Sequence, residues 1–300
     1  MTRTAWPALP LEGWKPTYET LHLWMQIIGK LTLKLTPLSN HYWNGAFRVT
    51  ARGIETPPLT SGSQRLTVTF DFLSHQLVIT SSERGTEVIA LQPRSVASFY
   101  RDVMAAFERL GVSAKIWPMS VELPVNFRLD QDETHSSYDP AAAEACWRAL
   151  LAMQPVFESF RGRFVGKCSP VHFFWGSFDL AVSRFNGARA PERSETDPVM
   201  KKIMQEAYSH EVISHGFWPG GGPVPEPIFY AYITPEPEGF KTADVRPDAA
   251  FYSKDMSEFI LPYEAVRTSS DPEGKLRAFL ESTYNAAADL ANWERAKLER

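Results

Sequence analysis

Apolar and polar positions change their period several times along the chain, and each change predicts an element. Tyr18, Leu21, Met25 and Ile28 recur at helical spacing, with Thr17 as cap and Gly29 as stop. The period then falls to two. KLTLKLT, AFRVTAR, RLTVTFDF, QLVITS and TEVIAL alternate or concentrate β-branched and aromatic residues between turn signals, which predicts an antiparallel meander. Ser95 opens a helix whose stripe is Val96, Phe99, Val103, Met104, Phe107 and Leu110; it stops at Gly111, and SAKIW follows as a short strand.

The second half opens on Asp139-Pro140, a cap followed by proline, and Pro155 is expected to kink or divide its helix before Arg161. The same start recurs at Asp271-Pro272, with Leu276, Phe279, Leu280, Thr283, Ala287 and Leu290 along one face. Between them, GKCSPVHFFWGSFDLAVSRF reads as one long strand with His172, Phe174, Phe178, Leu180 and Val182 on a single face. Aligned without a gap, HYWNGAFRVTA and HFFWGSFDLAV match His41 to His172 and Gly45 to Gly176, which points to an internal duplication. The two glycines then mark a bulge or a close approach of another group. FDFLSHQLVI and AFYSKDMSEFIL both read as hairpins. The predicted fold class is α+β: two similar halves, each an antiparallel sheet flanked by helices, at 1–125 and 140–300. The polar segment 126–139 links them, and a helix with a Gly/Pro-rich loop is inserted at 186–227.

Composition narrows the function. With 300 residues, 44% of them hydrophobic, the chain can bury a sizeable core, and a net charge of −4 with interspersed signs gives no footprint for nucleic acid or anionic lipid. Two cysteines make no disulfide framework, the amino terminus lacks a secretory pattern, and no apolar run reaches bilayer length, so a cytoplasmic protein is expected.

The densest candidate chemistry is SHEVISH, which places His210, Glu211 and His215 together. On a helix, a spacing of five turns the second imidazole about 140° from the first, so His210 and His215 share a divalent metal only if the helix ends between them. Glu211 or His210 is then the acid/base group, with His172 a third candidate. Four residues before His172, Cys168 raises a thiol nucleophile, against the simpler reading of a buried small residue. GFWPGGGP lacks the Lys-Ser or Lys-Thr of a phosphate loop; Phe217 and Trp218 beside its glycines form a lid over an apolar pocket or simply a bend. Lys30 and Lys167 each follow a glycine read as a helix end, where a cation complements the dipole, and they bind an anion only if they converge. Asp179, on the strand face opposite His172 with Trp175, is solvent-facing or paired with Arg163 or Arg184. Trp175 and Lys167 join Phe217 and Trp218 as candidate ligand-binding residues.

GKCSPVHFFWGSFDLAVSRFNG and AYSHEVISHGFWPGGGP resemble a bacterial family known only as a domain of unknown function, and the resemblance runs from WPALPLEGWKPTYETLHLW to ADLANWERAKLER. It implies membership without an activity and brings no catalytic residues. The residues themselves leave three readings open: a small-molecule enzyme at a cleft between the halves lined by His172, His210, Glu211 and Trp218; a non-catalytic binder of a small ligand closed by Phe217 and Trp218; or a protein-interaction module using a sheet edge or a helix. Oligomeric state is not legible.

Overall fold

The structure is a computed structural model that describes residues 6–192, 195–222 and 224–300. The chain divides into two compact units.

The first unit comprises Glu12–Leu151 together with Phe173–Phe178. Its opening helix α1 runs over Leu11–Leu35, past both predicted ends. Gly29 is no stop: an added Cβ there would lie 2.1 Å from the indole of Trp175, so the glycine is a hollow in the helix surface filled by tryptophan. Trp175 is fixed there by donating Nε1–H to the Gly45 carbonyl at 2.9 Å. KLTLKLT, read as a strand, continues the helix: Leu31 and Thr32 are fully buried with Ile27 and Ile28 of the preceding turn, and the Thr32 and Thr36 hydroxyls are satisfied by the carbonyls of Ile28 and Thr32 at 2.9 and 2.7 Å. Thr17 is interior to α1 and accepts from the Asp139 amide at 2.9 Å.

Strands β1 (Arg48–Val49), β2 (Gly53–Glu55), β3 (Leu59–Ser61), β4 (Gln64–Asp71), β5 (Gln76–Ser81) and β6 (Gly85–Ala90) form the expected antiparallel meander in the order β1-β2-β4-β5-β6, with β3 on β4. Alternation buries Leu66, Val68 and Phe70 of β4. Helix α2 (Val96–Arg109) begins where its cap predicts, Ser95 Oγ accepting from the Ser98 amide, and buries Val96, Phe99, Val103 and Phe107. SAKIW makes no strand. Residues 126–139 lie inside this unit: Ser137 donates to Thr20 Oγ1 at 3.1 Å, and Tyr138 is buried against Trp24. Helix α3 (Pro140–Gly162) runs unbroken through Pro155.

The second unit comprises residues 6–11, Ala152–His172 and Asp179–Arg300. Its elements are β7 (Lys167–Cys168), β8 (His172–Phe174), β9 (Asp179–Arg189), α4 (Pro198–Ala207), β10 (His210–Trp218), β11 (Ile228–Thr234), β12 (Phe251–Ser253), β13 (Glu258–Pro262), α5 (Tyr263–Arg267), α6 (Pro272–Leu290) and α7 (Arg295–Leu298). The antiparallel sheet has the order β12-β13-β11-β10-β9-β7, with β8 on β9. One face carries Val182, Ile213, His215, Phe217, Phe229 and Leu261, all buried, and Phe157 of α3 packs on Phe229. The duplicated cap-proline start is observed at α6, where Asp271 accepts from the Gly274 amide at 2.9 Å.

The stretch read as one strand is a hairpin. Residues 175–178 turn the chain between β8 and β9, and Phe178 takes a left-handed φ of 60°. His172 and Phe178 therefore do not continue the face of Leu180 and Val182. Gly176 is a close approach, as expected of one of the two alternatives: a Cβ there would meet the Glu122 carboxylate at 2.1 Å. Both units run helix, antiparallel sheet, helix, and the fold class is α+β. The proposed residue match between halves is not reproduced, since His41 sits in a 3-10 turn with φ 57° whereas His172 opens a strand. Among the described residues, no helix is long and apolar enough to cross a membrane.

Candidate functional site

In the second unit, alternation along β11 sends Tyr230, Tyr232 and Thr234 to the sheet face opposite Phe229 and Ile233. Register aligns neighbours on that face: Ser183 with Ser214, and Ser214 with Tyr232. Because Ala231 pairs with Phe259, the preceding residue Glu258 comes beside Tyr232. A polar row thus crosses four strands.

Its hydrogen bonds are specific. Ser183 Oγ and Ser214 Oγ lie 2.9 Å apart, and the Tyr232 and Tyr208 hydroxyls 3.0 Å apart. Tyr230 stacks on Tyr232 and donates its hydroxyl to the buried Asp179 carboxylate. Gly216 makes this possible, since a Cβ there would lie 2.3 Å from the Tyr230 ring. Asp179 is therefore neither solvent-facing nor paired with arginine. Arg163 pairs with Glu281 at 2.5 Å, and Arg184, five residues along β9, falls on the other face.

A cavity of about 560 Å³ opens at the end of this row, lined by Tyr208, Tyr232, Thr234, Glu236, Ser257 and Glu258. Glu258 is the unusual group. Burial, and then the negative charge of Asp179, pushes its carboxyl up to about 8, so it is largely protonated at neutral pH. Tyr230 and Tyr232 are held well above the usual phenol range, first by burial and then by Asp179 for Tyr230 and by Tyr208 for Tyr232. At the rim, Glu236 accepts from the Tyr252 hydroxyl and has Lys241 Nζ at 3.5 Å. The wall can donate hydrogen bonds from a neutral carboxyl and phenols, and can exchange a proton near pH 8.

The predicted site residues fall elsewhere in the two units. SHEVISH is not a helix but the start of β10. Five strand residues span about 16 Å and reverse the face, so His210 and His215 cannot share an ion. His215 is fully buried, its Nε2 3.0 Å from Thr283 Oγ1 and its ring against Phe160, and burial holds it well below the usual imidazole range. Among the described residues, no group of three His, Cys, Asp or Glu is arranged for a metal. His210 is half-buried with Nδ1 3.0 Å from Ser209 Oγ; burial and then Lys167 and Arg189 lower its pKa. Thus Lys167 and His210 are neighbours, and Lys167 also sits 5.2 Å over the Phe185 ring. Glu211 accepts from Asn186 Nδ2 at 2.6 Å.

His172 is buried in β8. Phe217 is no lid: it is fully buried between Phe229 and Tyr263. Trp218 ends β10 half-buried, over a turn in which Gly221 and Val224 exchange backbone hydrogen bonds, and Pro223 lies outside the described residues. Trp175 belongs to the first unit, in the packing described above. Burial pushes the Cys168 thiol up to about 11 and that of Cys146 to about 12, which removes thiolate character at neutral pH. Lys30 lies within α1, not after it, with Nζ 5.2 Å from the Trp117 ring; burial lowers its pKa to about 8.

A family described only as of unknown function, DUF5996, matches residues 6–300. The chain belongs to that family. No curated protein and no solved structure matches it. Membership in DUF5996 therefore brings no activity, and the reading of the Glu258 cavity stands on this chain's own geometry. Sequence reasoning passed over that cavity because Tyr230, Tyr232 and Glu258 come from strands 26 or more positions apart from one another or within one strand's alternation, with no motif joining them. The signal present was SEFIL, which puts an acidic residue at the first position of an otherwise apolar strand.

Proposed function

We propose that this protein is an enzyme acting on a small polar molecule held in the Glu258 cavity, with Glu258 as the group that gives and takes the proton. The observation that carries the reading is a buried carboxyl on the wall of an open cavity, beside a second buried carboxyl and two ordered phenols. A general acid works best with a pKa close to the operating pH, and the surroundings of Glu258 push in that direction. Tyr208 and Tyr232 supply hydrogen bonds that fix a substrate hydroxyl or carbonyl.

The test uses the full chain. A thermal-shift screen of small polyols, amides and hydroxy acids is run on the wild type and on Glu258→Gln, and each hit is then followed by NMR for chemical change. The expected result is a stabilising class that the wild type converts and Glu258→Gln binds but does not convert, a loss of roughly 100-fold or more in rate. A wild type that responds to no class, or a variant that converts the hit at the wild-type rate, overturns the catalytic reading. Binding without conversion in both proteins reduces the site to a non-catalytic binder.

A further inference from the structure

On the helix-facing side of the same sheet, away from Glu258, β9 delivers Arg184 into the apolar layer. Arg184 is 2% exposed. Its guanidinium carbon lies 3.4 Å from the Phe160 ring centroid and 4.2 Å from that of Tyr284, so the cation is held between two aromatic faces. Stacking satisfies the faces of a guanidinium and leaves its edge to hydrogen bonds. One Nη donates to the Phe160 carbonyl, while the Nε proton has no acceptor.

Among the described residues, no carboxylate lies within ion-pair distance of Arg184. Nearby cations differ: Arg163 holds Glu281 at 2.5 Å, and Arg295 holds Glu299 at 2.6 Å and Asp289 at 2.8 Å. Tyr284 donates to Glu299 at 2.8 Å, which keeps that carboxylate engaged at a neighbouring position. Burial lowers Arg184 to about 10, so it remains charged at neutral pH. An arginine buried this deeply without an anionic partner is costly, and the cost is relieved by an anion at its edge.

A cavity of about 120 Å³ opens against this group. Its wall carries four arginines, Arg163, Arg184, Arg295 and Arg300, against two carboxylates, Glu281 and Glu299, with the Asn285 amide beside them. The lining charge is positive, and the volume is ample for a phosphate-sized ion. We propose that this cavity is a binding site for a phosphate-type oxyanion, free or as the head of a small phosphomonoester, which supplies the anionic partner Arg184 lacks.

Isothermal titration of the full chain with inorganic phosphate, and separately with glycerol phosphate, tests this at ionic strength held constant with sodium chloride. A single-site isotherm with a dissociation constant below about 1 mM for either titrant is expected. Tighter binding of inorganic phosphate marks the free ion as the ligand; tighter binding of glycerol phosphate marks the ester. Arg184→Met is expected to abolish binding, and Arg163→Glu, at a rim position whose side chain is 62% exposed, is expected to weaken it by about tenfold or more. Glu258→Gln, on the opposite face, should leave the isotherm unchanged, which separates this site from the proposed active site. Flat wild-type isotherms with both titrants, or wild-type affinity in Arg163→Glu, overturn the proposal even if Arg184→Met fails to fold.

Discussion

Glu258 shows how one side chain acquires chemistry from its neighbours. Its carboxyl is ordinary in sequence, and only the strand register that sets it beside Tyr232, within the field of Asp179, moves its pKa from 4.5 to about 8. A folded-state pKa above the unfolded value makes stability complete below pH 4.5 and progressively lost as pH rises toward 8. The difference amounts to roughly 5 kcal/mol. Glu258→Gln removes that titration, so the variant should gain on the wild type as pH rises from 5 to 9 in urea unfolding. A stability difference that stays flat across this range would mean the carboxyl is ionised in the folded state. The two histidines that dominated the sequence reading carry less chemistry than this glutamate: His215 is locked against Thr283, and His210 stands at the head of a strand.

The helices and strands separate what pattern can reveal from what it cannot. Elements with a cap and an apolar stripe, such as α2 from Ser95 and α6 from Asp271, were legible because local hydrogen bonds and burial agree. Hairpins β4–β5 and β12–β13 were legible for the same reason. The failures have tertiary causes. Gly29 reads as a stop on local propensity, yet the indole of Trp175, some 146 positions later in the chain, requires a residue without Cβ in mid-helix. KLTLKLT alternates like a strand, but Leu31 and Thr32 are buried together with Ile27 and Ile28 as the helix face that packs into the core. Two opposing effects then decide Gly29→Ala. Helix propensity favours alanine by about 1 kcal/mol, whereas displacing a buried, hydrogen-bonded indole costs about 1–3 kcal/mol or more. The clash should win, lowering the thermal midpoint by several degrees; a midpoint that rises instead would contradict the Trp175 packing.

For the molecule as a whole, three buried titrations set a shared pH optimum. His22 in the first unit is buried with Nε2 2.9 Å from the Gly176 carbonyl, and burial lowers its pKa to about 4; burial also holds His215 in the second unit well below the usual imidazole range. Groups with depressed pKa contribute stability above 6.5 that is lost as pH falls. Between pH 4.5 and 6.5 these two outweigh the opposite trend of Glu258, and above 6.5 Glu258 alone remains, so the three together place maximal stability near pH 6.5. Thermal midpoints across pH 4.5–9 check this, and His22→Gln should flatten the acid limb, with a contribution of order 3 kcal/mol at stake. The α+β class and the meander of the first unit were readable from periodicity. The composition of the units was not, because residues 173–178 join the first unit while the chain on either side of them belongs to the second. Synthesis feels that return. The groove at Gly29 has no indole to fill it until position 175 has left the ribosome, so a further 146 residues must be made before the helix meets the tryptophan that fits it.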